Sequence, residues 1–372
     1  MKKYAMAATA LATAASMANA GGIERRGDPS MILFEKSRVY LEFSASSIDP
    51  QVSGSPLAGV PTAPTGDIQE RYQSFAGGLK YQLNDKIALA LVIDEPVGAS
   101  VNYQLPTVAG GGAFFGGSNA ELNTIAFTGM AKYQASERFS VYGGLRYIGL
   151  GGSVFVISPA TGPTLTGPGA PYSLNEDKDF QFGYLLGAAY EIPDIALRVA
   201  LTYESKTEHD FDDNTGAGFE VKIPQAFTLH AQTGIAANTL LFGSVKWREW
   251  TDFRIQPADF SSVAPGVGFV NTAIASEPED IWTYELGIGR RFTENWSGAF
   301  ILGYEKDEGQ PVGNLSGKDG YISYGLAATY ENEHIKVTTG IRYFDIGNAN
   351  SSVTSFTNND AFAFGTKVGF KF

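Results

Sequence analysis

From Arg38 to the C-terminus the chain alternates apolar side chains with polar or small ones at period two, the pattern of extended strands that keep one oily face. The stretch 360–372 shows it most plainly. Phe362, Phe364, Thr366, Val368, Phe370 and Phe372 share one face, while Ala363, Gly365, Lys367, Gly369 and Lys371 share the other. The same alternation divides the chain into fourteen segments: 38–48, 69–84, 86–104, 120–135, 138–157, 174–192, 195–208, 217–235, 239–252, 280–292, 296–306, 318–331, 334–346 and 360–372.

The connections alternate as strictly as the side chains. Short ones fall at 84–85, 135–137, 193–194, 237–238, 293–295 and 332–333; long ones, rich in Gly, Pro, Ser and acidic residues, fall at 49–68, 105–119, 158–173, 209–216, 253–279, 307–317 and 347–359. An even strand number with short turns on one side and long loops on the other predicts an all-β fold, a 14-stranded antiparallel transmembrane β-barrel in the outer membrane of a Gram-negative bacterium. Both termini then lie with the short turns in the periplasm. A buried edge strand of a soluble β-protein would account for any one segment, but a soluble sandwich has no reason to alternate its loop lengths. Tyr81, Tyr133, Tyr190, Phe292, Trp296, Tyr330 and Phe372 all flank the short turns, where amphipathic rings favour the headgroup level.

Composition narrows the picture. Of 372 residues 44 are Gly, aromatics make up 13% and charged residues only 18%, which suits many turn-separated strands. Past the N-terminus no run approaches the roughly 18 consecutive apolar residues of a membrane helix. Residues 1–20 read as a signal peptide, with Lys2 and Lys3, an Ala-rich apolar run and Ala18-Asn19-Ala20 as a cleavage site. Segment 21–37 has no sustained alternation and reads as an N-terminal hatch tucked into the barrel mouth, or else as a disordered periplasmic tail; residues 38–372 form the barrel. The formal charge of -12 makes nucleic acid an unsuitable partner. Cysteine is absent, which excludes a disulfide-stapled fold and a thiolate metal site.

Sorting each strand into faces turns a set of cations inward. Arg146, Arg198, Lys246, Arg248, Lys336 and Arg342 alternate with apolar neighbours such as Leu145, Leu197, Trp247 and Tyr343. A charge on the lipid face at mid-depth costs about 2 to 4 kcal/mol, so energetics alone turns them in. Arg146, Arg198, Arg248 and Arg342 are candidate partners for an anionic head group; the competing reading is an interior stitched by pairs such as Arg342 or Arg291 with Glu285. Other inward positions, Ala88, Ala90, Met130, Gly187 and Ser323 among them, are small or moderately apolar.

The third segment is interrupted. After 87–93 the chain runs through D-E-P-V-G-A at 94–99 before alternation resumes at Ser100. Pro96 removes a ladder donor and Gly98 permits a bend, so Asp94, Glu95, Pro96 and Gly98 predict a local kink in the wall. A harmless bulge near the rim is the alternative.

Here the sequence resembles the outer-membrane long-chain fatty acid and hydrocarbon transporters of the FadL/TodX type. The resemblance rests on the signal peptide, the fourteen strands, D-E-P-V-G-A at 94–99, P-Q-A-F-T-L-H-A-Q-T-G at 224–234 and the terminal Phe372. It implies a barrel plugged by an N-terminal hatch, with hydrophobic ligands captured near the outer loops and released sideways into the bilayer at the third-strand kink. This chain departs from the pattern in its short hatch and in Gly27-Asp28-Pro29-Ser30, where the family shows an Asn-Pro-Ala-like motif.

The cargo expected is a long-chain fatty acid or other hydrophobic small molecule, its tail received by the loop residues Phe114, Phe115, Phe260 and Phe269. The surroundings expected are outer-membrane lipid and lipopolysaccharide, with Phe372 presenting the closing strand to the barrel-assembly machinery. Catalysis, cofactor and metal are not expected: His209, His230 and His334 are scattered, and His209 among its acidic neighbours reads best as part of a solvated loop. A general porin for small hydrophilic solutes and a structural or adhesive barrel are the alternative functions.

Overall fold

In the computed structural model, residues 23–58, 63–104, 115–157, 171–263, 273–309, 311–313, 315–351 and 354–372 are described. The proposed signal peptide at 1–20 lies outside them. Fourteen strands form the wall: β1 Val39–Gln51, β2 Tyr72–Gln82, β3 in two pieces (Ile87–Asp94 and Gly98–Asn102), β4 Asn119–Gln134, β5 Phe139–Val156, β6 Tyr172–Ile192 and β7 Leu197–Glu204. The second half comprises β8 Ala226–Ala236, β9 Thr239–Arg248, β10 Ile281–Arg291, β11 Trp296–Glu305, β12 Tyr321–Glu331, β13 Ile335–Ile346 and β14 Asn359–Lys371. Each strand pairs antiparallel with its sequence neighbours, and β14 pairs with β1 from Tyr40↔Lys371 to Gln51↔Asp360, so the sheet closes. Closure removes the two free edges that an open sheet would present to lipid.

The faces follow the alternation. Phe362 and Phe364 of β14 are half exposed on the outside, while Ala361 and Ala363, which alternate with them, are buried. Lys367 and Lys371 turn inward to Glu42 and Glu331. Rings at the short-turn end remain exposed, Trp296 and Phe292 among them, as does a belt of Leu, Ile and Phe around the middle of the wall. So much exposed apolar surface is stable only against lipid.

Two departures from the predicted segments stand out. Residues 207–223 do not extend β7 and β8; they form their own hairpin, Thr207–Asp212 against Gly218–Ile223, folded at the long-loop end. The hairpin alternates like a wall strand, but Pro224 cannot donate to a ladder and the wall resumes only at Ala226. His209, expected in a solvated loop, is fully buried there, with Nε2 3.0 Å from Thr207 Oγ1 and Nδ1 3.1 Å from the Asp179 carbonyl. The loop before β10 carries a short helix, Ala258–Val263.

The apolar belt makes a direct prediction. Leu145, in the middle of β5 and 67% exposed, faces lipid. Leu145→Lys should lower the unfolding free energy in phospholipid vesicles by about 2–4 kcal/mol. An unchanged urea midpoint would place that face outside the bilayer.

Candidate functional site

The site is built around a breach in the wall. Up to Asp94, β3 is paired on both sides, Ile93 with Gly77 of β2 and Asp94 with Ala126 of β4. Its second piece stays on β4, Gly98 opposite Asn123, so three residues (95–97) oppose two (124–125) and the strand bulges. Thr124 bridges the bulge, its hydroxyl donating to the Val97 carbonyl at 2.5 Å and accepting from the Val97 amide at 3.1 Å. On the β2 side the strands reconnect only beyond the gap, through the Gln69↔Val101 bridge, the Glu70 amide to the Ser100 carbonyl at 3.2 Å, the Asn102 amide to the Ile68 carbonyl at 2.8 Å, and the Glu70 carboxylate accepting from the Ser100 and Asn102 side chains. Between them, residues 72–76 of β2 have no ladder partner on that side among the described residues.

The hatch fills the breach. Residues 23–25 lie antiparallel to 96–98, with the Gly98 amide donating to the Ile23 carbonyl at 2.8 Å and the Arg25 amide to the Pro96 carbonyl at 2.9 Å, around the bridge Glu24↔Val97. Pro96 has no amide to offer but its carbonyl is satisfied. Arg25 extends across the gap: its guanidinium occupies the space that a Gly98 side chain would need, and it lies 4.6 Å over the Tyr72 ring. A side chain at 98 would therefore displace it. Arg26 reaches the adjoining wall, donating to Ser74 and Ser44, each at 3.1 Å.

Charge holds the hatch tip down. Glu24 is buried between Lys246 Nζ and Arg248 Nε, both at 2.5 Å. Removing one member of such a buried cluster costs about 3–5 kcal/mol, because the remaining charges stay desolvated. Lower in the hatch, the 3-10 helix Pro29–Phe34 packs Ile32, Leu33 and Phe34 against the inner faces of β3 to β7. Glu35 pairs with buried Lys336 at 2.7 Å. Together they block the short-turn end.

The hatch divides the interior into two unlike spaces. Above it is a cavity of about 1210 Å³, part of it open to solvent, lined by Leu122, Leu150, Phe211, Phe219, Phe253 and Ile255 and reaching Ile23, Tyr72 and 98–101 at the breach. Glu24, Glu121, Glu176, Glu277 and Lys318 supply charge on its wall. Below is a polar space of about 1410 Å³ that includes Asp28, Glu35, Arg198, His230 and Lys367.

The expected site residues are distributed unevenly over this geometry. Arg146 ion-pairs with Glu204 inside the barrel, and Arg248 joins them, 3.7 Å from the same carboxylate, so these two arginines do converge. Arg198 pairs with Glu191 at 3.8 Å and lies over the Phe34 ring, and Arg342 binds Glu285 at 2.6 Å; neither shares the first site. Asp94 is buried in the wall of the polar space, beside Pro96 and Gly98 of the breach. Phe115 and Phe260 are buried in an apolar cluster at the long-loop end, with Tyr103–Phe115 and Tyr172–Phe260 ring pairs at 5.7 and 4.9 Å. Phe114 and Phe269 lie outside the described residues. Sequence reasoning missed Glu24, Arg25, Glu277 and Lys318. The inward pair Lys246 and Arg248, two residues apart, was a signal for Glu24, since two buried cations require an acid.

Asp28 ties the hatch to the wall and gives it a pH dependence. Its carboxylate accepts from the Ser30 amide at 2.8 Å and from Thr202 Oγ1 at 2.6 Å, and His230 Nε2 stands 3.5 Å away. Burial pushes this carboxyl up, but His230 and the two donors outweigh it and hold it at about 2, below the ordinary value of 3.8. Because the docked form has the lower pKa, its contribution is complete above about pH 4 and is lost as pH falls through about 2. Hydrogen exchange of residues 27–34 should rise over that window. In Asp28→Asn it should be raised already at neutral pH.

Against known proteins, a family model described as outer membrane protein transport protein (OMPP1/FadL/TodX) matches residues 3–299. No curated protein sequence matches. Among solved structures the fold is similar to a Pseudomonas aeruginosa FadL homologue at 15% identity and TM-score 0.71, covering 93% of each chain. It is also similar to the P. putida toluene transporter TodX at 11% identity and 0.68, again 93% of each. The Ralstonia pickettii toluene transporter TbuX gives 11% and 0.64, over 93% of this chain and 92% of the other. The breached barrel, its hatch and the family match agree: this chain belongs to the OMPP1/FadL/TodX family of outer-membrane transport proteins.

Proposed function

We propose that this protein takes up hydrophobic small molecules, long-chain fatty acids among them, by passive diffusion and releases them sideways into the bilayer at the third-strand breach. The observation that carries this reading is the upper cavity: apolar, closed below by the hatch, and bordering the gap between residues 72–76 and 95–99. A tail moving from water into it gains about 25 cal/mol for each Å² of apolar surface covered. Two of the similar structures are toluene transporters, which suits an apolar route.

In this reading residues 1–20 direct export and are removed, both termini lie in the periplasm, and the long loops meet the lipopolysaccharide. Phe372 presents the closing strand to the assembly machinery. The loop aromatics at 114, 115, 260 and 269 receive the solute once the cluster that buries Phe115 and Phe260 opens. Arg146, Arg198, Arg248 and Arg342 reach a carboxylate head only by exchange, since each now holds an acid. Exit requires residues 23–25 to leave the backbone of 96–98.

Uptake of labelled oleate and of a small labelled sugar by cells expressing the protein tests the route. Oleate should accumulate and sugar should not, and Pro96→Ala should slow oleate entry severalfold. Sugar flux without oleate flux supports a hydrophilic porin instead, and an unchanged oleate rate in the variant removes Pro96 from the route.

A further inference from the structure

The charged groups on the wall of the upper cavity bear on what kind of head group it receives. Lys318 is the one cation among its described lining residues. It does not stand alone. Glu305 and Glu277 both act on its ammonium electrostatically, Glu305 the more strongly, while burial works against its charge and lowers its pKa. The three side chains border one small polar recess beside the cavity, together with Asp319. Glu305 is 94% buried by its residual exposure of 6%, and its carboxylate accepts from Thr283 Oγ1 at 3.1 Å.

Among the described residues the recess is lined by five carboxylates, Glu277, Glu279, Glu305, Glu308 and Asp319, against two cations, Lys306 and Lys318. Arg25, which also acts on Lys318, lies over the Tyr72 face at the breach. Burial pushes Glu277 up to about 7; Lys318 opposes that rise and Asp319 adds to it. The described lining of the cavity is itself acid-rich, with Glu24, Glu121, Glu176 and Glu277 against Lys318. An entering carboxylate would add another negative charge to a buried, acid-rich cluster, whereas a hydroxyl could donate to Glu277 or accept from Lys318 without desolvating a charge.

The geometry points to Glu277 and Glu305 as specificity-determining residues that reserve the head-group end of this cavity for uncharged, hydrogen-bonding heads, alcohols or phenols, and disfavour ionised carboxylates. This rests on the upper cavity being the binding site of the uptake route. It narrows the cargo to amphiphiles with a neutral polar end; a fatty acid would enter as its protonated form.

The test compares two ligands with the same eighteen-carbon chain, oleyl alcohol and oleate. Tritiated forms of each are equilibrated with the purified full chain in detergent at about pH 8, where both oleate and free carboxylates are ionised. The wild type should retain the alcohol about tenfold better or more. The double variant Glu277→Gln, Glu305→Gln, in which the new amide oxygen at position 305 can still accept from Thr283, should reduce that preference by about tenfold through improved oleate retention. Heat-modifiable gel migration verifies the closed barrel, and the single loop variant Glu277→Gln should shift the ratio the same way by less. Wild-type preference for oleate, or an unchanged ratio in folded variants, overturns the assignment while leaving the uptake route standing. Retention of neither ligand overturns both.

Discussion

Inside a bilayer every backbone amide and carbonyl has to find a partner, and that requirement organises this molecule. The other neighbouring strand pairs of the wall, the closing pair of β14 and β1 included, satisfy it by their own ladders. The pair β2 and β3 does not, because Pro96 lacks a donor and the bulge at 95–97 carries the strand away from residues 72–76. The hatch makes good the β3 side of this gap. Its residues 23–25 give Pro96 and Gly98 the hydrogen bonds that a neighbouring strand would have supplied.

That repair is made by a tethered segment, not by a wall strand, and the proposed route requires its withdrawal. What keeps it in place is a set of contacts from distant parts of the chain: Glu24 with Lys246 and Arg248, Asp28 with Thr202, and Glu35 with Lys336. Each is strong where the lumen is dry. The same pairs use up inward cations that would otherwise face the solute, so the interior offers an apolar chamber above the hatch and a neutralised polar one below. In the proposed route, chemistry and path derive from one arrangement, a charged latch over the breach.

Much of the wall was legible in the sequence because a lipid-facing strand has a strict period of two, and a charged residue out of phase is expensive. That rule placed Arg146, Arg198, Arg248 and Arg342 inside, and Phe362 and Phe364 outside. It also exposed the interruption at 94–99, where the period fails. It could not say what the inward cations meet, since Glu24 lies 222 residues from Lys246 and the two come together only through barrel closure. The hatch has no period to read: it is held by backbone pairing and isolated ion pairs. Conversely, Thr207, His209 and Phe211 alternate with exposed acids just as a wall strand would, so 207–223 mimicked the barrel while folding over its end.

The central claim is that solute leaves where residues 23–25 cover the breach. Glu24 and Val97 are opposed in a bridge whose flanking hydrogen bonds, Arg25 to Pro96 and Gly98 to Ile23, mark them as a close, non-hydrogen-bonded pair suited to a disulfide. The chain has no cysteine of its own, so Glu24→Cys with Val97→Cys gives a single reducible lock. Uptake of labelled oleyl alcohol by vesicle-reconstituted protein, measured oxidised and again after dithiothreitol, separates the possibilities. The account predicts that the oxidised form is nearly inactive and that reduction restores uptake; equal rates in the two forms would contradict it.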